Sequence, residues 1–463
     1  MKGKKLIGRA VFIVITVLLL YGIYYCWISF PVATGYGSKV FCSAVFVSGR
    51  NENDVKSQEL AFFPLTLADY EVDYKDSSVT CSLFGFARRK AIFRTGLGST
   101  VVNEFSEEEI RSQPIQRAVR PSFTSDTVPW PMGNKLIGSL PSTIDSTIVE
   151  TAVNKLFVET DTTNPNRTRA VIVVYDNQVV AEKYAPGFTS NTRLTGWSMT
   201  KSVFSALTGV LVMQGKLDID APAPVQEWSD TKDPRHPITV RHLLQQTSGL
   251  QFEEVYSKSS NATRMLCQKG DMAAYASSLP LKYPPGQHFH YSSGNTNILS
   301  RIIRRTIGEG DYHTFPYKQL FYKLGMYNTL LEPDASGTFV GSSYCYATAR
   351  DWARLGLLYL NNGFYNGEQI LPADWVEQST TPSSAAQQGQ YGFKWWLNAG
   401  EKGKPENRVF PTLPADLFYA DGFEGQNIFI IPSKKLVVVR LGLTRKSQYG
   451  EVELLEQLMK AIP

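Results

Sequence analysis

The sequence predicts an α+β protein, an antiparallel sheet flanked by helices, preceded by a membrane-spanning helix and a small β-rich region. Three observations predict it. A basic N-terminus runs into an uncharged apolar stretch, strand-like hairpins stand near both ends of the region after residue 131, and helix-period segments lie between those hairpins. Strands at both ends with helices between them imply one layered domain whose sheet joins N- and C-terminal strands.

The apolar stretch comes first. Lys2, Lys4, Lys5 and Arg9 precede a run from Ala10 to Phe30 that contains no charge. Roughly 20 apolar residues in a helix span the hydrocarbon core of a bilayer. A cleaved signal peptide has a shorter apolar segment and a small-residue exit. Here the exit is Tyr24-Tyr25-Cys26-Trp27, the composition of an interfacial aromatic belt. The reading is a single-pass anchor over residues 10–30 with a cytoplasmic tail of residues 1–9, because basic residues stay on the cytoplasmic side. The remainder of the chain is then extracytoplasmic, periplasmic or at the cell surface.

Residues 31–130 form the second region. Val40–Val47 and Val79–Phe86 are strand-like runs separated by polar turns, and Ser122–Pro131 (SFTSDTVPWP) has the composition of a linker. The third region, residues 131–463, mixes both periods. Arg169–Tyr184 reads as a hairpin with its turn at Asp176-Asn177. Ser198–Gln214 reads as a helix stopped by Gly215, and Val240–Gln246, Asn297–Ile307 and Ala349–Leu360 also read as helices. Asn427–Ile431 and Leu436–Leu441 flank a Pro-Ser-Lys-Lys turn, and Glu451–Ile462 is an amphipathic closing helix.

Composition excludes several function classes. With 43% apolar and 19% charged residues the 463-residue chain can bury a large core. The net charge of +5 is small and no basic stripe interleaved with aromatics appears, so nucleic acid is not an expected partner. Four of the five cysteines, Cys42, Cys81, Cys267 and Cys345, fall in the exported portion, where disulfides are permitted. Cys42 with Cys81 is the attractive pair, and four unpaired thiols is the other reading. No C-x-x-C or H-E-x-x-H is present and His288 and His290 read as loop residues, so no metal and no cofactor is expected.

The chemistry centres on Ser198-Met199-Thr200-Lys201. In the first turn of a helix, residues three apart share a face, so Lys201 reaches the Ser198 hydroxyl. The positive helix end favours a developing alkoxide and disfavours a protonated lysine. Alone, S-x-x-K is a weak motif. A second segment, Pro284–Gly294 (PPGQHFHYSSG), places Tyr291 in a turn just ahead of a helix, where a phenol near a lysine can shuttle protons.

With these two motifs, four further blocks follow in order: Ile238–Leu250 (ITVRHLLQQTSGL), Tyr346–Leu358 (YATARDWARLGLL), Tyr391–Trp396 (YGFKWW) and Gly422–Gly442. Over about residues 135–463 the sequence resembles the serine hydrolases that share a fold with class C β-lactamases and D-alanyl-D-alanine carboxypeptidases, a group that includes esterases and 6-aminohexanoate-dimer hydrolase. The resemblance implies a β-lactamase/transpeptidase-like fold with a helical subdomain. It implies Ser198 as acylated nucleophile, Lys201 as the group that shares its proton, and Tyr291 as general base and then acid. It also implies an oxyanion hole from the N–H groups of Ser198 and of Phe423, just after Gly422. Two such donors contribute on the order of 3 kcal/mol each.

Two departures bear on substrate. Ser293 stands where β-lactamases of this group have an asparagine that meets the substrate amide. Ala420-Asp421-Gly422 stands where they have Lys-Thr-Gly, so the cation for a penicillin carboxylate is missing and Asp421 and Glu424 lie nearby instead. That balance disfavours an anionic substrate. The expected partner is therefore a small-molecule linear amide or ester, with Ser293, Gly422 and Glu424 among the substrate-binding residues and Glu424 placed to face an ammonium. The alternatives are a penicillin-recognising D-alanyl peptidase or β-lactamase, and a non-catalytic envelope sensor or binding protein.

Overall fold

The computed structural model describes residues 2–121, 126–136, 138, 141–445 and 448–463. Its elements in chain order are helix α1 (Lys2–Phe46), strands β1 (Ala68–Asp73), β2 (Ser78–Leu83), β3 (Phe86–Arg94) and β4 (Gly98–Val101), helix α2 (Ser146–Lys155), strands β5 (Thr168–Tyr175) and β6 (Gln178–Tyr184), helices α3 (Thr200–Met213), α4 (Ser293–Ile307) and α5 (Ala349–Leu360), strands β7 (Trp396–Leu397), β8 (Phe418–Gly422), β9 (Gln426–Ile431) and β10 (Leu436–Gly442), and helix α6 (Glu451–Ala461). Shorter helices and strands connect them.

The expected sheet forms. Its order is β7-β8-β9-β10-β5-β6, antiparallel throughout, with β10 beside β5, so strands from the two ends of the segment meet at its centre. The β5–β6 turn lies at Asp176 and Asn177, both with positive φ (45° and 64°), the backbone that a two-residue hairpin turn requires. Alternation in β5 decides which core each side chain enters. Ala170, Ile172 and Val174 join the cluster that contains α3, α4 and α5, while Val171 and Val173 join the cluster beneath α2 and α6. Because helices cover both faces, β5 reads as a continuous apolar run.

The N-terminal region differs from the sequence reading. Helix α1 does not stop near residue 30. It continues through Val40–Phe46, the run that has strand-like composition. Val40, Phe41, Cys42 and Ala44 are buried in one cluster with Val79, Ala91 and Val101 of the sheet β1-β2-β3-β4, so packing overrides local β preference. Residues Leu6–Phe46 form a helix apolar enough to cross a membrane, with mean hydropathy 2.4, and its most apolar stretch is unburied. The later part is locked to the protein body by a buried ion pair between Lys39 and Glu332. Ser43 Oγ and the Ser99 N–H also donate to the Glu332 carboxylate, at 2.9 and 2.6 Å.

The attractive disulfide does not form. Cys42 and Cys81 are both buried and unpaired, as are Cys267 and Cys345. Burial pushes the Cys42 and Cys81 thiols up to about 12, so they behave as small apolar side chains. Of the linker-like stretch, residues 122–125 lie outside the described residues. Its end is packed: Trp130 is buried, its Nε1 donates to Asn177 O at 2.9 Å, and the Arg354 guanidinium lies 4.5 Å from the ring centroid.

Candidate active site

The turn Trp197–Met199 leads into α3 and sets Ser198 at the helix entrance. Trp197 has φ +45°, a left-handed conformation that a bulky residue adopts only when its surroundings over-determine it. Those surroundings are aromatic. Tyr36 of α1 stacks on the Trp197 ring, and Tyr344 and Phe423 approach it at 6.1 and 5.8 Å.

Lys201 lies one turn into the helix and is buried. Its Nζ donates to Ser198 Oγ at 2.9 Å and to the Ser342 carbonyl at 2.9 Å. Asn297 of α4 holds that carbonyl's residue in place by accepting from the Ser342 N–H at 3.1 Å. Burial brings the lysine down to about 8, opposed by the carboxylates of Glu254 and Asp421. Desolvation is thus the main reason this lysine releases its proton readily.

Tyr291 is fixed between rings. It lies nearly parallel to Trp396 at 5.4 Å and edge-on to Tyr391 at 5.9 Å, and Lys201 Nζ is 4.9 Å from its centroid. Burial, then Tyr391 and Glu254, push its phenol well above the usual 10, against a hydrogen bond with Ser198. The phenol is therefore protonated near neutral pH. The segment that carries it is tied to the Ile238–Leu250 block through Gln246. The Gln246 carbonyl accepts from the His290 N–H at 2.8 Å, and Gln246 Oε1 accepts from Asn295 Nδ2 at 2.8 Å.

Ser293 opens α4. Its N–H and Oγ both donate to Glu254, at 2.8 and 2.5 Å, and the Tyr256 hydroxyl donates to the same carboxylate at 2.7 Å. Across the site, β8 ends at Gly422. A Cβ there would stand 2.2 Å from the Gly196 carbonyl oxygen, so only glycine lets the strand edge approach the turn that carries Ser198. Phe423 follows, half exposed, with its ring also parallel to Tyr256 at 6.4 Å. Ala420 is buried in the core. Asp421 accepts from Asn427 Nδ2 at 2.9 Å and burial pushes it up to about 6. Glu424 is buried and paired with Arg445 Nε at 3.1 Å.

The structure thus brings Ser198, Lys201 and Tyr291 together, with Gly422 and Phe423 beside the turn that carries Ser198, and Ser293 at the N-terminus of α4. Glu424 is occupied by Arg445. A carboxylate that acts on Lys201, Tyr291, Tyr391 and Tyr256 is that of Glu254, which the sequence reading missed. The available signal was the acidic pair Glu253-Glu254, two residues past the Thr247-Ser248-Gly249-Leu250 turn. Lys394 was also missed. It is buried within YGFKWW, donates to Leu243 O at 2.5 Å, and is held well below its ordinary value by burial and by the charge of Lys201.

The Beta-lactamase family model matches residues 154–455. A 6-aminohexanoate-dimer hydrolase of Paenarthrobacter ureafaciens is 26% identical over 302 residues, which cover 59% of this chain and 72% of that protein. A solved structure of a putative 6-aminohexanoate-dimer hydrolase from Bacillus anthracis has a TM-score of 0.53 at 22% identity, covering 64% of this chain and 78% of that one. A family VIII carboxylesterase has a TM-score of 0.53 at 15% identity, covering 71% of this chain and all (100%) of its own. The fold is the β-lactamase/transpeptidase-like α+β architecture.

Proposed function

We propose, on the premise that this chain belongs to the β-lactamase family of serine hydrolases, that it cleaves a linear amide or ester through an acyl-enzyme on Ser198. The observation that carries the reading is the buried side-chain nitrogen of Lys201, 2.9 Å from Ser198 Oγ. A lysine that titrates near 8 supplies an uncharged base at working pH. It takes the hydroxyl proton as Oγ attacks the substrate carbonyl. The N–H groups of Ser198 and Phe423 receive the oxyanion. Tyr291 starts protonated and delivers its proton to the leaving group; its phenolate then takes a proton from the water that attacks the acyl carbonyl, and Lys201 returns its proton to Ser198 Oγ as the acyl chain leaves as the acid. Lysine and tyrosine titrate as one coupled pair in this scheme.

The substrate class follows from charge. Glu254, bonded to Ser293, and Asp421 on β8 both put negative charge on the surroundings of Lys201, and neither Ser293 nor Ala420 supplies the partners that a penicillin needs. We read residues 131–463 as the catalytic unit, residues 31–130 as a unit made of the end of α1 and the sheet β1-β2-β3-β4 packed on it, and residues 10–30 as the membrane anchor. A panel of p-nitrophenyl esters, linear amides, D-alanyl peptides and β-lactams tests the reading on detergent-solubilised full chain and on Ser198→Ala. Ester or amide turnover confined to the wild type is expected. Nitrocefin turnover that exceeds all of these would overturn the substrate assignment.

A further inference from the structure

The β2–β3 hairpin ends in a turn that its composition does not explain as ordinary soluble structure. Leu83 pairs with Phe86, so Phe84 and Gly85 are the two turn residues, with φ +51° and +76°. Positive φ at both positions favours Asn-Gly or Asp-Gly, and a phenylalanine there is strained. Neither Phe84 nor Phe86 is repaid by burial, since they are 62% and 71% exposed.

Their place along α1 supplies a reason. Helix α1 is exposed from Leu6 to Trp27, except for Thr16 and Cys26, and enters the protein body by Thr34. Those exposed residues rise about 33 Å at 1.5 Å each, close to the roughly 30 Å of a hydrocarbon core. The outer boundary of such a span falls between Trp27 and Phe30. The Phe84 ring lies 6.3 Å from Phe30, and Thr34 Oγ donates to Ala87 O at 2.6 Å, so the hairpin tip is pinned at that level. Arg88 and Arg89 follow in β3; Arg88 pairs with Glu71 at 3.0 Å in an exposed ion pair, a contact that solvent and salt weaken, and both guanidinium groups are cations of the kind that lipid phosphates attract. Exposed aromatics beside basic residues are the composition of a membrane interface.

We infer that Phe84 and Phe86 are a second membrane contact, seated in the lipid leaflet from which α1 emerges. The inference rests on the reading of α1 as an anchor. Two contacts fix the orientation of the body where one helix would leave it free to swing. Tyr36, less than two helical turns beyond Phe30, touches Trp197, so the docked body holds Ser198 close to the lipid surface. A substrate presented at that surface, an amphiphile with its scissile ester or amide near the headgroup, is the class this placement favours.

The test uses full chain in vesicles of phosphatidylcholine and phosphatidylglycerol, some lipids carrying a nitroxide high on the acyl chain. In a Cys26→Ser background, an environment-sensitive fluorophore is attached at Trp27→Cys, Phe86→Cys or Lys75→Cys, the last in the turn at the opposite end of β2. Thermal unfolding verifies that each variant is folded. Quenching at positions 27 and 86 several-fold above that at 75 is expected. Quenching at 27 with position 86 no different from 75 would leave the anchor standing and overturn the docking. Absence of quenching at 27 would overturn the anchor, and the docking with it.

Discussion

The Tyr36 ring lies parallel to the Trp197 ring, with 1° between their planes and 6.1 Å between centroids. The helix that carries the apolar N-terminal run therefore braces the residue immediately before the candidate nucleophile. Since Trp197 is held at positive φ, the brace is a condition of the Ser198 geometry. Tyr36→Ala is predicted to cost about 2 kcal/mol of stability and to slow acylation of Ser198 about tenfold. Tyr36→Phe, which keeps the ring, should retain both. Stopped-flow acylation rates and thermal unfolding on the two variants decide it.

Gly422 gives a purely steric prediction. A methyl group at this position meets the Gly196 carbonyl at 2.2 Å, so either β8 or the turn that carries Ser198 must move. Gly422→Ala should lower kcat at least tenfold, because in the proposed mechanism the next N–H, that of Phe423, is an oxyanion donor, and a shift of an ångström forfeits much of its contribution. Circular dichroism should remain native.

Lys201 predicts both an activity profile and a stability profile. With the lysine brought down to about 8, the uncharged form is lost as pH falls. Activity should rise through pH 8 and be nearly absent at pH 4. Between pH 8 and its ordinary 10.5 the lysine binds fewer protons folded than unfolded, so folding stability rises with pH across that window. Below pH 8 the buried charge is a standing cost. Lys201→Met should be inactive yet more stable at pH 7, by as much as about 3 kcal/mol, an advantage that shrinks as pH rises toward 10.5. Chemical denaturation at pH 7 and pH 10 measures it.

The Lys39–Glu332 pair predicts how α1 is held. Both groups are buried, and burial raises the Glu332 carboxyl against the opposing pull of Lys39. Glu332→Leu strands the Lys39 charge and should cost about 3–5 kcal/mol. Adding Lys39→Met should restore most of the loss, and a double-mutant cycle by urea unfolding reads the coupling.

What the sequence revealed, and what it concealed, follows from how local each cause is. The Arg169–Tyr184 hairpin was legible because its turn needs two positive φ values that Asp176 and Asn177 tolerate. Ala349–Leu360 was legible because its apolar residues keep one helical period and Thr348 caps it through the Asp351 N–H. Val40–Val47 misled because valine, phenylalanine and cysteine suit a strand, and only contact with β2, β3 and β4 makes them helical. Cys42 and Cys81 share a buried neighbourhood, yet nothing in spacing fixes whether two thiols meet. In the site, the S-x-x-K spacing carries its own geometry through the helix, so Ser198 and Lys201 could be paired from sequence. Glu254 could not, since its relation to Ser293 arises only when two distant blocks lock through Gln246. Glu424 is near Gly422 in sequence but turns to Arg445, a partner that sequence proximity does not reveal.

The central claim is that Ser198 is the nucleophile, activated by Lys201. The most direct measurement is labelling by a fluorophosphonate probe followed by peptide mass mapping, on the wild type, Ser198→Ala and Lys201→Met. The account predicts a single adduct on Ser198 in the wild type, none in Ser198→Ala, and labelling slowed at least a hundredfold in Lys201→Met. Equal labelling of wild type and Ser198→Ala, or an adduct mapped to another residue, would contradict it.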